Sequence, residues 1–150
     1  LWLTLFRDKI DDIMEQVKCP VAVFVNRGYR EGALVSFVLG GMIDIFLLSY
    51  ISIMLQNGHS VRLFLFDTDD EEFCRCMNDL QARYSGQITI VRFAGVEELV
   101  TREKDGLLVM SHLSYTKLSE DELVMRELSS LLVIRRNKNK GEKNERLEIG

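Results

Sequence analysis

Cys19-Pro20-Val21-Ala22-Val23-Phe24-Val25-Asn26-Arg27-Gly28 is the stretch on which the fold assignment turns. Val21–Val25 is apolar and β-branched without polar alternation, which predicts a strand buried on both faces. Pro20, the single proline of the chain, stands at the strand's opening, where a missing N–H is tolerated. Asn26-Arg27-Gly28 is a turn signal that closes it. Residues 33–38 repeat the apolar pattern and run into Leu39-Gly40-Gly41-Met42-Ile43-Asp44.

Outward from this pair the chain alternates. Strand-like runs fall at 60–66, 88–93, 106–111 and 131–135, and helical stretches at 42–56, 69–84, 96–104 and 119–129. Upstream, Leu3, Phe6, Ile10, Ile13, Met14 and Val17 recur at helical spacing and predict an amphipathic helix over 3–17. Asn57-Gly58 and Ser85-Gly86 supply left-handed helix stops. Strands alternating with helices mean βαβ units and a parallel sheet. The expected fold is therefore α/β, a three-layer Rossmann-like sandwich around a mainly parallel five-stranded sheet (33–38, 60–66, 88–93, 106–111, 131–135), plus an N-terminal helix and an extra strand. The helix over 42–56 is apolar almost all round, which calls for a second covering surface. Either the first helix or an interface with another subunit or a membrane domain would supply it.

The Cys-Pro-led strand ending in Asn26-Arg27-Gly28, followed by a strand ending in Gly40-Gly41, resembles the soluble C-terminal domains of monovalent cation:proton antiporters of the sodium/hydrogen exchanger type. There the first strand ends in Asp-Arg-Gly and the second in Gly-Gly-x-Asp-Asp. Here a single aspartate, Asp44, stands beside Ile45 and Phe46, so the acidic pair is not reproduced. The strand and helix order from 33 to 135 is similar to the universal-stress-protein fold. The resemblance implies a non-catalytic regulatory domain on the cytoplasmic side of the inner membrane. Its partners would be its own transmembrane transport domain, a second copy in a homodimer formed through the last strand, and a small effector. A stand-alone nucleotide-binding stress-type module is the alternative. On the same reading, residues 1–28 are the remnant of a preceding unit, 29–135 the α/β domain and 136–150 a disordered charged tail.

Composition narrows the classes. With 150 residues, 47% hydrophobic and 28% charged, the chain is long and apolar enough for one real core. Residues 135–150 hold six basic and three acidic groups, leaving 13 basic and 20 acidic groups in residues 1–134. That acidic body argues against a nucleic-acid groove, which needs a basic stripe. The chain opens at Leu1 without a signal-peptide pattern, as an excised part of a longer protein would. Residues 35–55 contain one charge, Asp44, but Gly40-Gly41 split the run and a central aspartate is costly in lipid, so no membrane span is expected. Cys19, Cys74 and Cys76 are odd in number and suit buried free thiols in a reducing compartment.

The candidate ligand-binding residues are Gly40, Gly41, Asp44, Asp67, Ser111 and His112. Gly40 and Gly41 follow a strand and open a helix, where α/β proteins hold ligands. The late glycine motif of nucleotide-binding stress proteins is absent: Val109-Met110-Ser111-His112-Leu113-Ser114 stands there, and no cofactor is expected. Asp67-Thr68-Asp69-Asp70-Glu71-Glu72 gathers hard oxygens at a strand end, with Asp67 or Thr68 as a helix cap and no EF-hand spacing. Cys74 and Cys76 lie two apart on a helix and cannot share a metal. His112 ends a strand near the crevice and suits a turn or a pH sensor. No nucleophile–base pair stands out, so no catalytic role is expected.

Overall fold

Five parallel strands and one antiparallel strand form the sheet of the computed structural model, which describes residues 2–66, 70–100 and 103–136. In chain order the elements are α1 (Trp2–Gln16), β1 (Val21–Val25), β2 (Val35–Leu39), a 3-10 helix over Met42–Leu47, α2 (Leu48–Gln56), β3 (Val61–Phe66) and α3 (Glu71–Arg83). They continue with β4 (Ile88–Phe93), a second 3-10 helix over Val96–Leu99, β5 (Leu107–Ser111), α4 (His112–Leu118), α5 (Glu122–Glu127) and β6 (Ser130–Arg135). The strands lie in the order β1-β6-β5-β2-β3-β4. The five expected strands are parallel, and the sheet has six because β1 joins it antiparallel to β6, with Val21 opposite Arg135 and Val25 opposite Leu131.

That position corrects two expectations. β1, at the sheet's edge, is covered on one face only: Val21 and Val23 pack on the core, while Ala22 and Phe24 are exposed. An unbroken apolar run thus serves a strand covered on one face only. β6, for its part, is hydrogen-bonded on both sides, to β5 and to β1, and the last strand has no open edge for a second copy. β1 is held at both ends. The Asn26 side chain accepts from the N–H groups of Gly28 and Tyr29, forming an Asx turn. The Arg27 N–H donates to Ser130 Oγ at 2.8 Å, and its guanidinium donates to the carbonyls of Met125 and Leu128. Burial pushes the Arg27 pKa down, with the facing Tyr115 pushing it back up.

Helices cover both faces. On one, Leu47, Ile51 and Leu55 of the 3-10/α2 segment and Phe73, Met77 and Leu80 of α3 meet Leu39, Leu63 and Leu65. On the other, Ile10 and Met14 of α1, Tyr115 and Leu118 of α4, and Val124 and Met125 of α5 meet Val38, Phe64 and Met110. Truncating a fully buried Leu or Ile in either cluster to Ala costs about 2–5 kcal/mol. α1 therefore does not cover the apolar 42–56 segment, which lies across the sheet from it and keeps Ile43, Tyr50 and Ile53 exposed. No helix among the described residues is long and apolar enough to cross a membrane.

The return from β4 to β5 must pass β3 and β2. The expected helix over 96–104 is there reduced to Val96–Leu99. The Glu98 carboxylate accepts from the N–H groups of Ala94 at 2.7 Å and Gly95 at 2.9 Å, which closes this turn and holds the Glu98 pKa below the usual carboxylate value. So short a crossover leaves the C-terminal ends of β3 and β4 thinly roofed. The expected helix over 119–129 is shortened to α5, capped by Asp121, and a further helix that was not expected, α4, precedes it with Ser111 as its cap. Residues 137–150, with most of the expected tail, lie outside the described residues.

Candidate functional site

From β2 the chain moves outward to β3 and β4 and then returns to β5 on the opposite side of β2. Strand order therefore reverses between β2 and β5, and the crevice beyond their C-terminal ends is where sheets of this kind bind ligands. Gly40, Gly41 and Asp44 follow β2 into this crevice, Ser111 ends β5 beside it and His112 opens α4.

Gly41 makes the turn possible. Its φ of 142° and ψ of −162° lie in a region that only glycine occupies without strain. The turn delivers the first 3-10 helix and swings Asp44 back over the strand end. Asp44 has 0% of its surface exposed. Its Oδ2 accepts from the Gly40 N–H at 2.7 Å and from Ser114 Oγ at 3.0 Å, tying the end of β2 to α4. Ser114 is oriented in turn by Ser111, whose buried side chain accepts from the Ser114 N–H at 3.1 Å. The second carboxyl oxygen, Asp44 Oδ1, is buried and has no hydrogen-bond partner among the described residues. Gly40 is fitted to this arrangement, since a Cβ there would stand 3.2 Å from Asp44 Oδ2.

Beside Asp44 opens a cavity of about 240 Å³. Val38, Phe93, Leu99 and Leu118 give it a buried apolar floor, and Gly40, Asp44, Ser114 and Lys117 add polar groups on one side. Three large apolar side chains stand around it half in solvent: Ile43 at 45%, Phe66 at 42% and Leu113 at 50% exposure. Val96 and Leu99 of the second 3-10 helix line it on the β4 side. An apolar pocket with a few convergent polar groups is the usual make-up of a small-molecule site.

The sequence-derived candidates separate in this geometry. Gly40 and Asp44 line the cavity, Gly41 shapes its approach, and Ser111 acts at one remove by orienting Ser114. The side chain of His112 points elsewhere, its Nε2 3.0 Å from Asp11 Oδ1 on α1 and its ring stacked on Tyr115. Asp67 lies outside the described residues, as does Thr68. The cap of α3 is Asp70, which accepts from the Phe73 N–H at 3.1 Å. Among the described residues no cluster of three or more His, Cys, Asp or Glu side chains could hold a metal ion. None of the three cysteines is fully buried: Cys19, just ahead of the edge strand, is exposed, and Cys74 and Cys76 are partly so. The residues that sequence reasoning did not reach are Ser114 and Lys117, one helical turn apart on α4, and the apolar rim. Ser111 and Ser114 at i, i+3 at a strand end were the legible sign of a helix cap.

The Gly40 N–H is the backbone donor a phosphate would need at this strand-to-helix turn. Here a carboxylate of the chain itself occupies it. The crevice therefore presents apolar surface beside a buried carboxylate rather than free backbone donors. No protein-family model, no curated protein and no solved structure matches the chain.

Proposed function

We propose that the chain is a non-catalytic regulatory domain of a monovalent cation:proton antiporter that binds a small effector in the crevice between β2 and β5. The observation that carries the effector site is the 240 Å³ apolar cavity at the switch point, floored by the buried Asp44. The transport assignment is supported by the resemblance of the Cys19–Gly28 strand and the Gly40-Gly41 turn to antiporter tails. The strand order is that of a Rossmann-like sandwich, in keeping with the same reading.

An effector in the crevice would touch the turn after β2, the end of β3, the Val96–Leu99 crossover and α4 together. Binding therefore favours whichever arrangement of these segments fits it, and the transport domain responds through that shift. The serine hydroxyls at the crevice are engaged as cap and tie, and the His112 ring is turned to Asp11, in line with a binding role. The alternative of a stress-type nucleotide module is disfavoured by the Asp44 carboxylate on the Gly40 N–H. Self-association belongs to the proposal, now through the open edge of β1 with its exposed Phe24.

Cation:proton exchange by the full-length gene product in membrane vesicles is the test. Leu113→Asp, which puts a charge at the cavity mouth, is expected to change the rate or its dependence on cytosolic extract. A gene encoding no membrane spans beside this chain, or exchange indifferent to the substitution, refutes the reading.

A further inference from the structure

We propose that two copies of the chain join edge to edge through β1, antiparallel about a twofold axis at Val23, so that the six strands of each copy make one sheet of twelve. This rests on the self-association read above and names its partner, a second copy, and its register.

The two edges of the sheet are β1 and β4, and they differ. β4 exposes Thr89 and Arg92, and a charged side chain on an edge keeps foreign strands away. Val21–Val25 has no charge, glycine or proline, and Pro20 stands just ahead of it. All five residues pair with β6 on the inner side, and among the described residues no strand is bonded to the outer side. An antiparallel strand directs alternate N–H and C=O pairs to either side, so an outward row is available. The strand is also held ready. Arg27 fastens its far end to Ser130, Met125 and Leu128, and Arg135 fastens its approach at Met14, Val17 and Cys19. A pre-ordered edge loses little conformational freedom on pairing.

The sequence of β1 is complementary to itself. With the axis at Val23, Val21 meets Val25, Ala22 meets Phe24 and Val23 meets its own copy. One face of the junction is then a row of valines, continuous with the core side. On the other face each Phe24 ring, set edge-on to Tyr29 at 6.2 Å, lies across from the small Ala22, with about 4.5–5.5 Å between Cβ atoms. An axis at Ala22 or Phe24 instead sets two of the five residues against chain outside the strand (Cys19 and Pro20, or Asn26 and Arg27).

The flanking surface points to the same contact. Phe24 is 48% exposed on one face of the edge, and Ile13 of α1 is 41% exposed on the other. Asp11 and Ile13 stand about 200° apart around the helix, and Asp11 meets His112 of α4. α4 packs on β5 and β6, whereas Ile10 and Met14 share a cluster with Val21 and Val23. Ile13 therefore lies on the flank of α1 turned to the open edge. Twofold pairing draws the two Ile13 side chains together on one face of the junction and the two Phe24 rings together on the other, so large apolar groups leave water on both faces at once.

Sedimentation equilibrium of the 150-residue chain from about 1 to about 200 μM tests this. A monomer–dimer equilibrium with Kd of about 1–100 μM is expected for so short an interface. Phe24→Lys, at an exposed position, should raise Kd by about tenfold or more with the circular dichroism spectrum unchanged. Tyr50→Lys, on the exposed face of α2, should leave Kd unmoved. With the three native cysteines replaced by serine, Ala22→Cys combined with Phe24→Cys should air-oxidise to a covalent dimer, because the two positions face each other within disulfide reach. Phe24→Cys alone should not, since its two copies lie about 8 Å apart. A monomer throughout the range overturns the proposal. A dimer that Phe24→Lys leaves intact and Tyr50→Lys dissociates also overturns it, and so does a covalent dimer formed by Phe24→Cys alone. The transport assay above decides the regulatory reading separately, since exchange indifferent to Leu113→Asp leaves a Phe24-dependent dimer standing.

Discussion

Gly40 and Gly41 are adjacent and small for opposite reasons, and substituting each in turn tests the construction of the site. At Gly41 a Cβ would meet nothing within 4 Å, so Gly41→Ala carries no steric collision with the rest of the fold. What it carries is conformational: φ of 142° with ψ of −162° costs an L-residue about 1–3 kcal/mol. At Gly40 the backbone is unremarkable for any residue, but a Cβ would press on Asp44 Oδ2 at 3.2 Å and approach Ser114 Oγ at 3.6 Å. Gly40→Ala should therefore cost under about 1 kcal/mol, because the carboxyl can yield by a few tenths of an ångström. Urea unfolding followed by far-UV circular dichroism measures both. With m of about 1–3 kcal/mol/M unchanged, Gly41→Ala should lower the midpoint by about 0.5–1.5 M and Gly40→Ala by less than half as much. Heating should show a loss of about 2–12 °C for Gly41→Ala, given 2–4 °C per kcal/mol at this size. Coincident curves for wild type and Gly41→Ala would show that the turn after β2 is not held as described. The delivery of Asp44 to the crevice would then lose its basis.

Three further outcomes follow from the same contacts. Asp44→Ala removes two hydrogen bonds to a carboxylate but also an oxygen buried without a partner, so we expect a net loss of about 1–3 kcal/mol, with Asp44→Asn losing less; urea midpoints check both. The Glu98 pKa is depressed in the fold, so its contribution to stability is present above the ordinary carboxylate value and is lost as pH falls through the folded value. Acid should thus loosen the Val96–Leu99 turn, seen as faster amide exchange of Ala94 and Gly95, and Glu98→Gln should abolish that pH dependence. Arg135, at the end of β6, donates to the carbonyls of Met14, Val17 and Cys19, so Arg135→Met should release the C-terminal turn of α1, raising amide exchange there before the sheet is affected.

The alternation of strands and helices was legible because each parallel strand is an apolar run bounded by turn residues, and the six runs were placed to within two residues. What was not legible was tertiary. Val21–Val25 has the composition of a strand buried on both faces, yet Ala22 and Phe24 are exposed, because nothing in a run of five apolar residues tells how many faces will be covered. The helix expected over 96–104 fails because Glu98 reaches back to the N–H groups of Ala94 and Gly95 and closes a tight turn. The pattern of Val96 and Leu99 fits either outcome. The helix α4 had no counterpart among the expected elements, although Ser111, whose side chain accepts from the Ser114 N–H, caps it; the helix expected over 119–129 begins only after Asp121, whose side chain accepts from the Val124 N–H.

The site follows the same logic one level up. Gly40 and Asp44 were identifiable because a strand-to-helix turn with paired glycines marks the carboxyl end of a parallel strand wherever it occurs. Phe66, Phe93, Leu99, Leu113 and Lys117 were not, since each reads as ordinary core or surface in its own segment. They become one lining only through the strand order: β3 and β4 lie on one side of β2 and β5 on the other, so the ends of β2, β3 and β4 and the helix α4 that follows β5 face a common space. The second 3-10 helix contributes Val96 and Leu99 to that space, and a carboxylate stands beside it because Gly41 bends the chain back far enough to place Asp44 on the Gly40 N–H. A shortened crossover and a glycine-only turn are each unfavourable to packing or to backbone strain. They coincide at the switch point, where one carboxyl oxygen of Asp44 has no partner among the described residues, and a buried polar atom of that kind calls for a physical account.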